Sequence, residues 1–400
     1  MPRVVLTGAG TVNALAHDVP GTLAALAAGQ SGIGPLDIRD AGRLTIRIGA
    51  QVKGWPGLPG MTAREAALWD PFTRFAIAAA DQAVAMSGLA PADLAAAGVI
   101  LGTAAGGIST WEDNYRAVFA EGKDRVPPLV VPRLMQNAAP AHVSIRHGLR
   151  GPSFSVSSAC ASASHAIGLA FRDIREGRAR VILAGGAEAM LVFGGIKAWE
   201  GLRVLSPDGC RPFDADRNGM VMGEGAAVFV LEDADHAAAR GARALAEIAG
   251  FGMTSDAGDI VAPSAEGAAA AMHLALTDAG MQPGDLGYVN AHGTGTLAND
   301  RAEAQALRAV LGAGAAAVPV SSTKGAHGHA IGATGALELL ACIAALRDGV
   351  LVPTTGCRVV APDMGLDVVT ETARHAQPGA ALSNSFAFGG TNAVLALRAV

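Results

Sequence analysis

Short runs of residues, apolar at every position rather than at every second one, recur along this chain between Ala-rich stretches of helical period. Residues 3–6, 99–101, 181–184 and 227–231 read as strands of this kind, and 153–157 as a further short strand. A strand that is apolar on both faces has to be covered on both faces. Strands of this kind alternating with helices predict an α/β protein with a covered sheet. Residues 63–86 read as one long helix, with Leu68, Phe72, Phe75 and Ile77 near one face, and residues 160–176 as another. After Arg240-Gly241-Ala242 the pattern starts again. A strand at 244–249, a helix at 266–279 and a strand at 288–290 are followed by helix 300–311, strand 318–321 and helix 331–347. Strands at 381–383 and 391–397 close the series. Two series of similar alternation suggest an internal duplication, with halves at 1–242 and 243–400. Residues 103–140, rich in Pro and Gly, read as an irregular insertion on one face.

Composition removes several classes of function. Half the residues are hydrophobic and only 16% are charged, which suits a large core and argues against disorder. Lys and Arg number 30 against 35 Asp and Glu, a net charge of −5. Such a chain has no general attraction for nucleic acid or for an anionic membrane. Cys160, Cys210, Cys342 and Cys357 form no CxxC pair, so a zinc ribbon or a thioredoxin-like site is excluded. Scattered cysteines fit a reducing cytoplasm better than a disulfide framework. The opening residues lack the pattern of a signal peptide, and no apolar run reaches spanning length, so no membrane insertion is expected.

Four segments carry polar or reactive residues straight after a predicted strand. In Ser157-Ser158-Ala159-Cys160-Ala161-Ser162 a thiol begins a helix of small residues. The helix N-terminus favours a thiolate, the nucleophilic form, although a small buried core residue is the blander reading of a Cys. In Asn290-Ala291-His292-Gly293-Thr294-Gly295-Thr296, His292 ends a buried strand, and the hydroxyls of Thr294 and Thr296 can bind a ligand. In Ser321-Ser322-Thr323-Lys324-Gly325-Ala326-His327-Gly328-His329, Lys324 and His329 precede a helix that carries Glu338, the natural partner of a buried Lys324. His327 and His329 suggest no third metal ligand. Phe386-Ala387-Phe388-Gly389-Gly390-Thr391-Asn392 is a Gly-rich turn able to present the backbone N–H groups of an oxyanion hole. Gly8-Ala9-Gly10 lacks the third Gly of a dinucleotide fingerprint and reads as a tight turn.

Together, Ser158-Ala159-Cys160, Asn290-Ala291-His292-Gly293-Thr294, Ser322-Thr323-Lys324 with His329, and Phe388-Gly389-Gly390-Thr391-Asn392 resemble the β-ketoacyl-acyl-carrier-protein synthases, in that family's order and spacing across essentially the whole chain. The resemblance implies a thiolase-like fold, a five-layered αβαβα sandwich of two related halves, and a homodimer. The Cys-His-His pattern is similar to that of the elongating type I/II synthases. Residues 197–213 and 384–388 also look like the nodulation-type synthases, which make specialised acyl chains. The sequence departs from housekeeping members in two places. Ala66-Ala67-Leu68-Trp69 stands where they carry a basic cluster, leaving Arg64, and Ala105 stands where type II members have a larger aliphatic residue at the bottom of the acyl pocket.

The implied reaction is a decarboxylative Claisen condensation without metal, nucleotide or flavin. Cys160 would take an acyl group from acyl-carrier protein, and malonyl-carrier protein would then supply the attacking carbanion. His292 and His329 would donate N–H to the enolate oxygen, and the backbone N–H groups of Cys160 and Phe388 would hold the thioester oxyanion. Lys324 with Glu338 would orient the site. Thr294 and Thr296 would bind the phosphopantetheine arm, with Ala105, Phe386 and Asn392 also contacting substrate. Two other readings are a CoA-using thiolase, disfavoured because the final Gly-rich loop lacks a second Cys, and a silent chain-length subunit, disfavoured because Cys160 is present.

Overall fold

In a computed structural model describing residues 2–400, the centre of the molecule is an 11-stranded sheet. Its first half uses β1 (Val4–Asn13), β2 (Gly98–Gly102), β3 (Ser153–Val156), β4 (Val181–Glu188) and β5 (Gly225–Asp233). The second uses β6 (Ala246–Ser255), β7 (Tyr288–Asn290), β8 (Pro319–Ser321), the edge strand β9 (Asp367–Val368), β10 (Ala380–Ala387) and β11 (Thr391–Arg398). The order across the sheet is β9-β8-β7-β10-β11-β6-β1-β5-β4-β2-β3. In each half the first strand pairs antiparallel with the last, the last antiparallel with the one before it, and the remaining neighbours run parallel. The halves therefore repeat one topology. They meet where Val4, Val5 and Leu6 pair antiparallel with Ile248, Glu247 and Ala246.

Helices cover both faces, as the unbroken apolar strands require. On the outside of the first half lie α1 (Pro71–Ser87) and α2 (Ala138–His147). The inner layer is α3 (Ser162–Arg175) with, later in the chain, α6 (Thr334–Ile343), which pack on each other and on strands of both halves. Outside the second half lie α4 (Ala265–Ala279) and α5 (Leu297–Leu311). The result is the five-layered α/β sandwich. Small residues are what let α3 fit between the two halves of the sheet. A Cβ on Gly102 would lie 2.3 Å from the Ala163 nitrogen, and one on Gly168 would lie 2.5 Å from the Phe251 ring.

Several sequence expectations need correction. The Gly8-Ala9-Gly10 segment is not a turn but the middle of β1, which continues to Asn13. Its glycines serve close packing: a Cβ on Gly8 or Gly10 would lie 2.1 or 2.0 Å from the carbonyl oxygens of Ala83 and Ala79 on α1. The single helix expected at 63–86 is two, Ala63–Leu68 and Pro71–Ser87. Asp70 caps the second through the Phe72 N–H, and Pro71 starts it, a sequence that ends the preceding helix. The 160–176 helix begins as a 3₁₀ turn, Ala159–Ala161, and becomes α-helical at Ser162. The segment expected to be irregular at 103–140 holds the helices Ile108–Tyr115 and Val130–Leu134. On it Trp111, Tyr115, Phe119, Val131 and Met135 stand exposed.

Candidate active site

Cys160 occupies the sharp turn between β3 and α3. Ala159, just before it, has φ 48°, a left-handed conformation that costs energy for any residue with a Cβ. Ser162 holds the turn: its Oγ accepts from the Ser158 N–H at 2.9 Å and donates to the Ala159 carbonyl at 2.7 Å. The sulfur is enclosed. Burial pushes the thiol up to about 12, against the pull of Lys324 and of the N–H groups of Phe388 and Cys160 itself. Burial thus opposes the thiolate that a helix start would favour. The α-helix begins later, and the dipole does not offset the loss of water.

His292 follows β7, and its loop is drawn in by two acids of α5. The N–H groups of His292 and Gly293 donate to Glu303 at 2.8 and 2.7 Å, and those of Thr294 and Gly295 to Asp300 at 3.0 and 3.2 Å. Sequence reasoning missed both acids. The available signal was a pair of carboxylates one helical turn apart, directly after the Thr296 cap. Lys324 opens a short helical turn after β8 and is fully buried with Glu338. Its Nζ donates to Glu338 Oε1 and to the His292 carbonyl, and lies 3.3 Å from His292 Nδ1. Burial pushes the Glu338 carboxyl upward, and the Lys324 ammonium opposes it.

His329 Nε2 lies 3.1 Å from Cys160 Sγ, and its Nδ1 lies 2.8 Å from the Thr334 hydroxyl. The rings of His292 and His329 stand edge to face, 5.4 Å apart. One such atom from each of Cys160, His292 and His329 falls within 4.8 Å of the others. Burial first, and the positive charge of Lys324 second, hold both imidazoles well below the usual histidine range, so both are neutral at pH 7. Three donor atoms at this spacing could also hold a metal ion, but an ammonium already facing the His292 ring opposes a second cation there.

These side chains open into a mostly apolar cavity of about 110 Å³. Cys160, His292, Thr294, Thr296, His329, Phe386, Phe388 and Asn392 all line it. The hydroxyls of Thr294 and Thr296 are 2.9 Å apart, and Asn392 Nδ2 donates to Asp256 at 2.7 Å. Lys324 and Glu338 stand behind the wall. Ala105 is not part of it: the Ala105 amide donates to buried Glu188 at 3.3 Å. The sequence reading gave no individual role to Trp199, Met220, Asp256 or residues 261–263, which also line the wall. Trp199 stacks on Phe388 at 5.7 Å and also borders an open apolar groove of about 600 Å³ beside Trp111 and Tyr115.

Residues 1–237 match the N-terminal domain of the β-ketoacyl synthases, and residues 245–358 match their C-terminal domain. The chain belongs to the β-ketoacyl synthase family. This synthase is 46% identical to nodulation protein E of Rhizobium sp. (strain N33), covering 100% of this chain and 99% of that one. It is 39% identical to 3-oxoacyl-acyl-carrier-protein synthase 2 of Vibrio cholerae, covering 99% of each. A β-ketoacyl synthase from Burkholderia phymatum STM815 superposes with a TM-score of 0.93 at 34% identity over 100% of both chains. A type II polyketide ketosynthase solved with its acyl-carrier protein, bound to a hexaketide, superposes with a TM-score of 0.92 at 28% identity, again over 100% of both. The synthase is thus a condensing acyltransferase of thiolase-like fold, and no helix among its described residues is long and apolar enough to cross a membrane.

Proposed function

We propose that this synthase lengthens an acyl chain carried on acyl-carrier protein by decarboxylative condensation with malonyl-carrier protein. The supporting observation is the enclosed cluster of Cys160 Sγ with the His292 and His329 rings. In the first half-reaction Sγ bonds to the acyl carbon, the carrier's C–S bond breaks, and the proton of the thiol leaves with the carrier sulfur. The N–H groups of Cys160 and Phe388 hold the oxyanion. In the second, malonyl-carrier protein loses CO₂, and its enolate oxygen accepts N–H from His292 and His329. The enolate carbon bonds to the acyl carbon, the C–S bond to Cys160 breaks, and the released thiolate takes a proton from water. Removing one such donor costs roughly 3 kcal/mol of transition-state stabilisation. Lys324, held by Glu338, orients His292. Thr294 and Thr296 bind the phosphopantetheine arm, with Phe386 and Asn392 beside it. Each step is complete without a metal ion or cofactor.

A specialised acyl chain, as in the nodulation-type or polyketide-type branches, is the second reading. The higher identity to nodulation protein E and the apolar groove that continues past Trp199 favour it. We also propose a cytoplasmic homodimer: β3 is an edge of the sheet with Phe154 exposed, packed beside α2 with its exposed Ile145, and a second copy would cover it. Incubation with mixed acyl-carrier proteins and malonyl-carrier protein, read by mass spectrometry, tests the reaction. An acyl adduct on Cys160 and a β-ketoacyl product two carbons longer are expected. Absence of both overturns the proposal. Light scattering should give twice the chain mass.

A further inference from the structure

Thr334 is the first residue of α6 and is wholly buried. Among the described residues, its hydroxyl has one hydrogen-bond partner, His329 Nδ1 at 2.8 Å. A hydroxyl carries one hydrogen and can also accept. If it accepted from Nδ1–H, its own hydrogen would be buried without an acceptor, which is costly. If it donates to Nδ1, that hydrogen is satisfied. A neutral ring has one N–H, so donation from Thr334 puts it on Nε2, which faces Cys160 Sγ at 3.1 Å. The same accounting holds at His292, where an ammonium can only donate and Lys324 faces Nδ1. One ring is set by a hydroxyl and the other by an ammonium, and both turn an Nε2–H toward the cavity. The turn between His329 and Thr334 is itself pinned. Ile331 is held at φ 43°, and the Gly332 N–H donates to buried Glu188 at 3.1 Å.

We propose that Thr334 is a positioning residue that fixes His329 in its Nε2–H tautomer and so gives the enolate oxygen its second N–H donor. This rests on the roles proposed above for Cys160 and the two histidines. Without the hydroxyl, the ring is free to take the other tautomer and turn a lone pair toward the thiol. That lone pair leaves the passage of the thiol proton to the carrier sulfur unhindered, but it repels an enolate oxygen. Acyl transfer to Cys160 should therefore survive where condensation does not.

The test compares wild type with Thr334→Val, which removes the hydroxyl at nearly constant shape, and Thr334→Ser, which keeps it. Nitrogen NMR of ¹⁵N-histidine-labelled enzyme, with the His329 signals assigned from a His329→Gln variant, reads the tautomer directly. Wild type is expected to carry the hydrogen on Nε2, and a hydrogen on Nδ1 overturns the proposal without any Thr334 variant. In the Val variant, condensation should fall at least about 10-fold while acylation of Cys160 stays within about 2-fold, and the Ser variant should regain most of the loss. Equal losses in both half-reactions, an unchanged tautomer, or no rescue by Ser would overturn it. If Val does not fold, Thr334→Ala is read in the same way. Failure of wild type to acylate Cys160 or to consume malonyl-carrier protein counts against the proposed function. Normal wild-type turnover with an unaffected Val variant counts against Thr334 alone.

Discussion

Burial pushes the Cys160 thiol up to about 12, and what opposes it is the Lys324 charge and the N–H groups of Phe388 and of Cys160 itself. Cys160→Ser should therefore abolish condensation, because an alkoxide is far harder to form in the same enclosure. Retention of near wild-type condensation would show that Cys160 is not the nucleophile. His292→Ala and His329→Ala should still acquire an acyl group on Cys160 yet fail to consume malonyl-carrier protein, since donors to the enolate matter only in the second half-reaction. Mass spectrometry of the acylated variants separates the two steps, and parallel loss of both would contradict these roles. Ala105 lies outside the enclosed cavity, so Ala105→Ile shortens the accepted primer by several carbons only where a bound acyl chain extends past the cavity wall to it, each buried CH₂ contributing roughly 0.8 kcal/mol. An unchanged length profile across a series of acyl-carrier proteins would place Ala105 off the path of the acyl chain. Cys160, His292, Lys324 and His329 were legible in the sequence because each follows a strand and stands among small residues. Asp300 and Glu303 were not. They act on backbone N–H groups from the helix that follows, and their one local signal, a carboxylate pair one turn apart after the Thr296 cap, does not by itself separate a buried acid from a solvated one.

At the level of elements, the strands were readable because burial on both faces leaves an unbroken apolar run. Helix boundaries were less so. The Asp70-Pro71 cap was hidden inside a continuous helical period, and the 3₁₀ start of the nucleophile turn has no local signature apart from the strain at Ala159. Gly8 and Gly10 misled because a glycine pair after a strand has two physical origins, a turn or a close approach, and sequence alone does not separate them. The structure selects close approach, which has a measurable consequence. Gly10→Ala would drive a methyl group to 2.0 Å from the Ala79 carbonyl, so strand and helix must part. A loss of about 3 kcal/mol in folding stability is expected, at the upper end of the range for overpacked cores. Urea titration would measure it, and a change below about 1 kcal/mol would mean that β1 and α1 separate with ease.

For the whole molecule, stability should depend on pH through carboxyls buried away from cations. Burial pushes Glu224 up to about 7, with the Val52 N–H donating to it at 3.0 Å as the opposing influence. Its folded value lies above its unfolded value, so it lends stability below about pH 4.5 that is lost as the pH rises through about 7. Glu224→Gln keeps an acceptor for Val52 and removes the charge. It should stabilise the fold at pH 8, relative to its effect at pH 5, by on the order of 3 kcal/mol. Denaturant midpoints at the two pH values test this, and an equal effect at both would show that Glu224 is not charged at pH 8. The junction of the two halves of the sheet bears on synthesis as well. Val4, Val5 and Leu6 pair with residues 246–248, so one edge of β1 stays bare until those residues have left the ribosome. For most of translation the nascent first half exposes an unpaired, apolar strand edge and a thiol without its histidines. A chain halted at residue 242 should therefore aggregate or be held by chaperones, whereas the chain extended through β6 can close that edge.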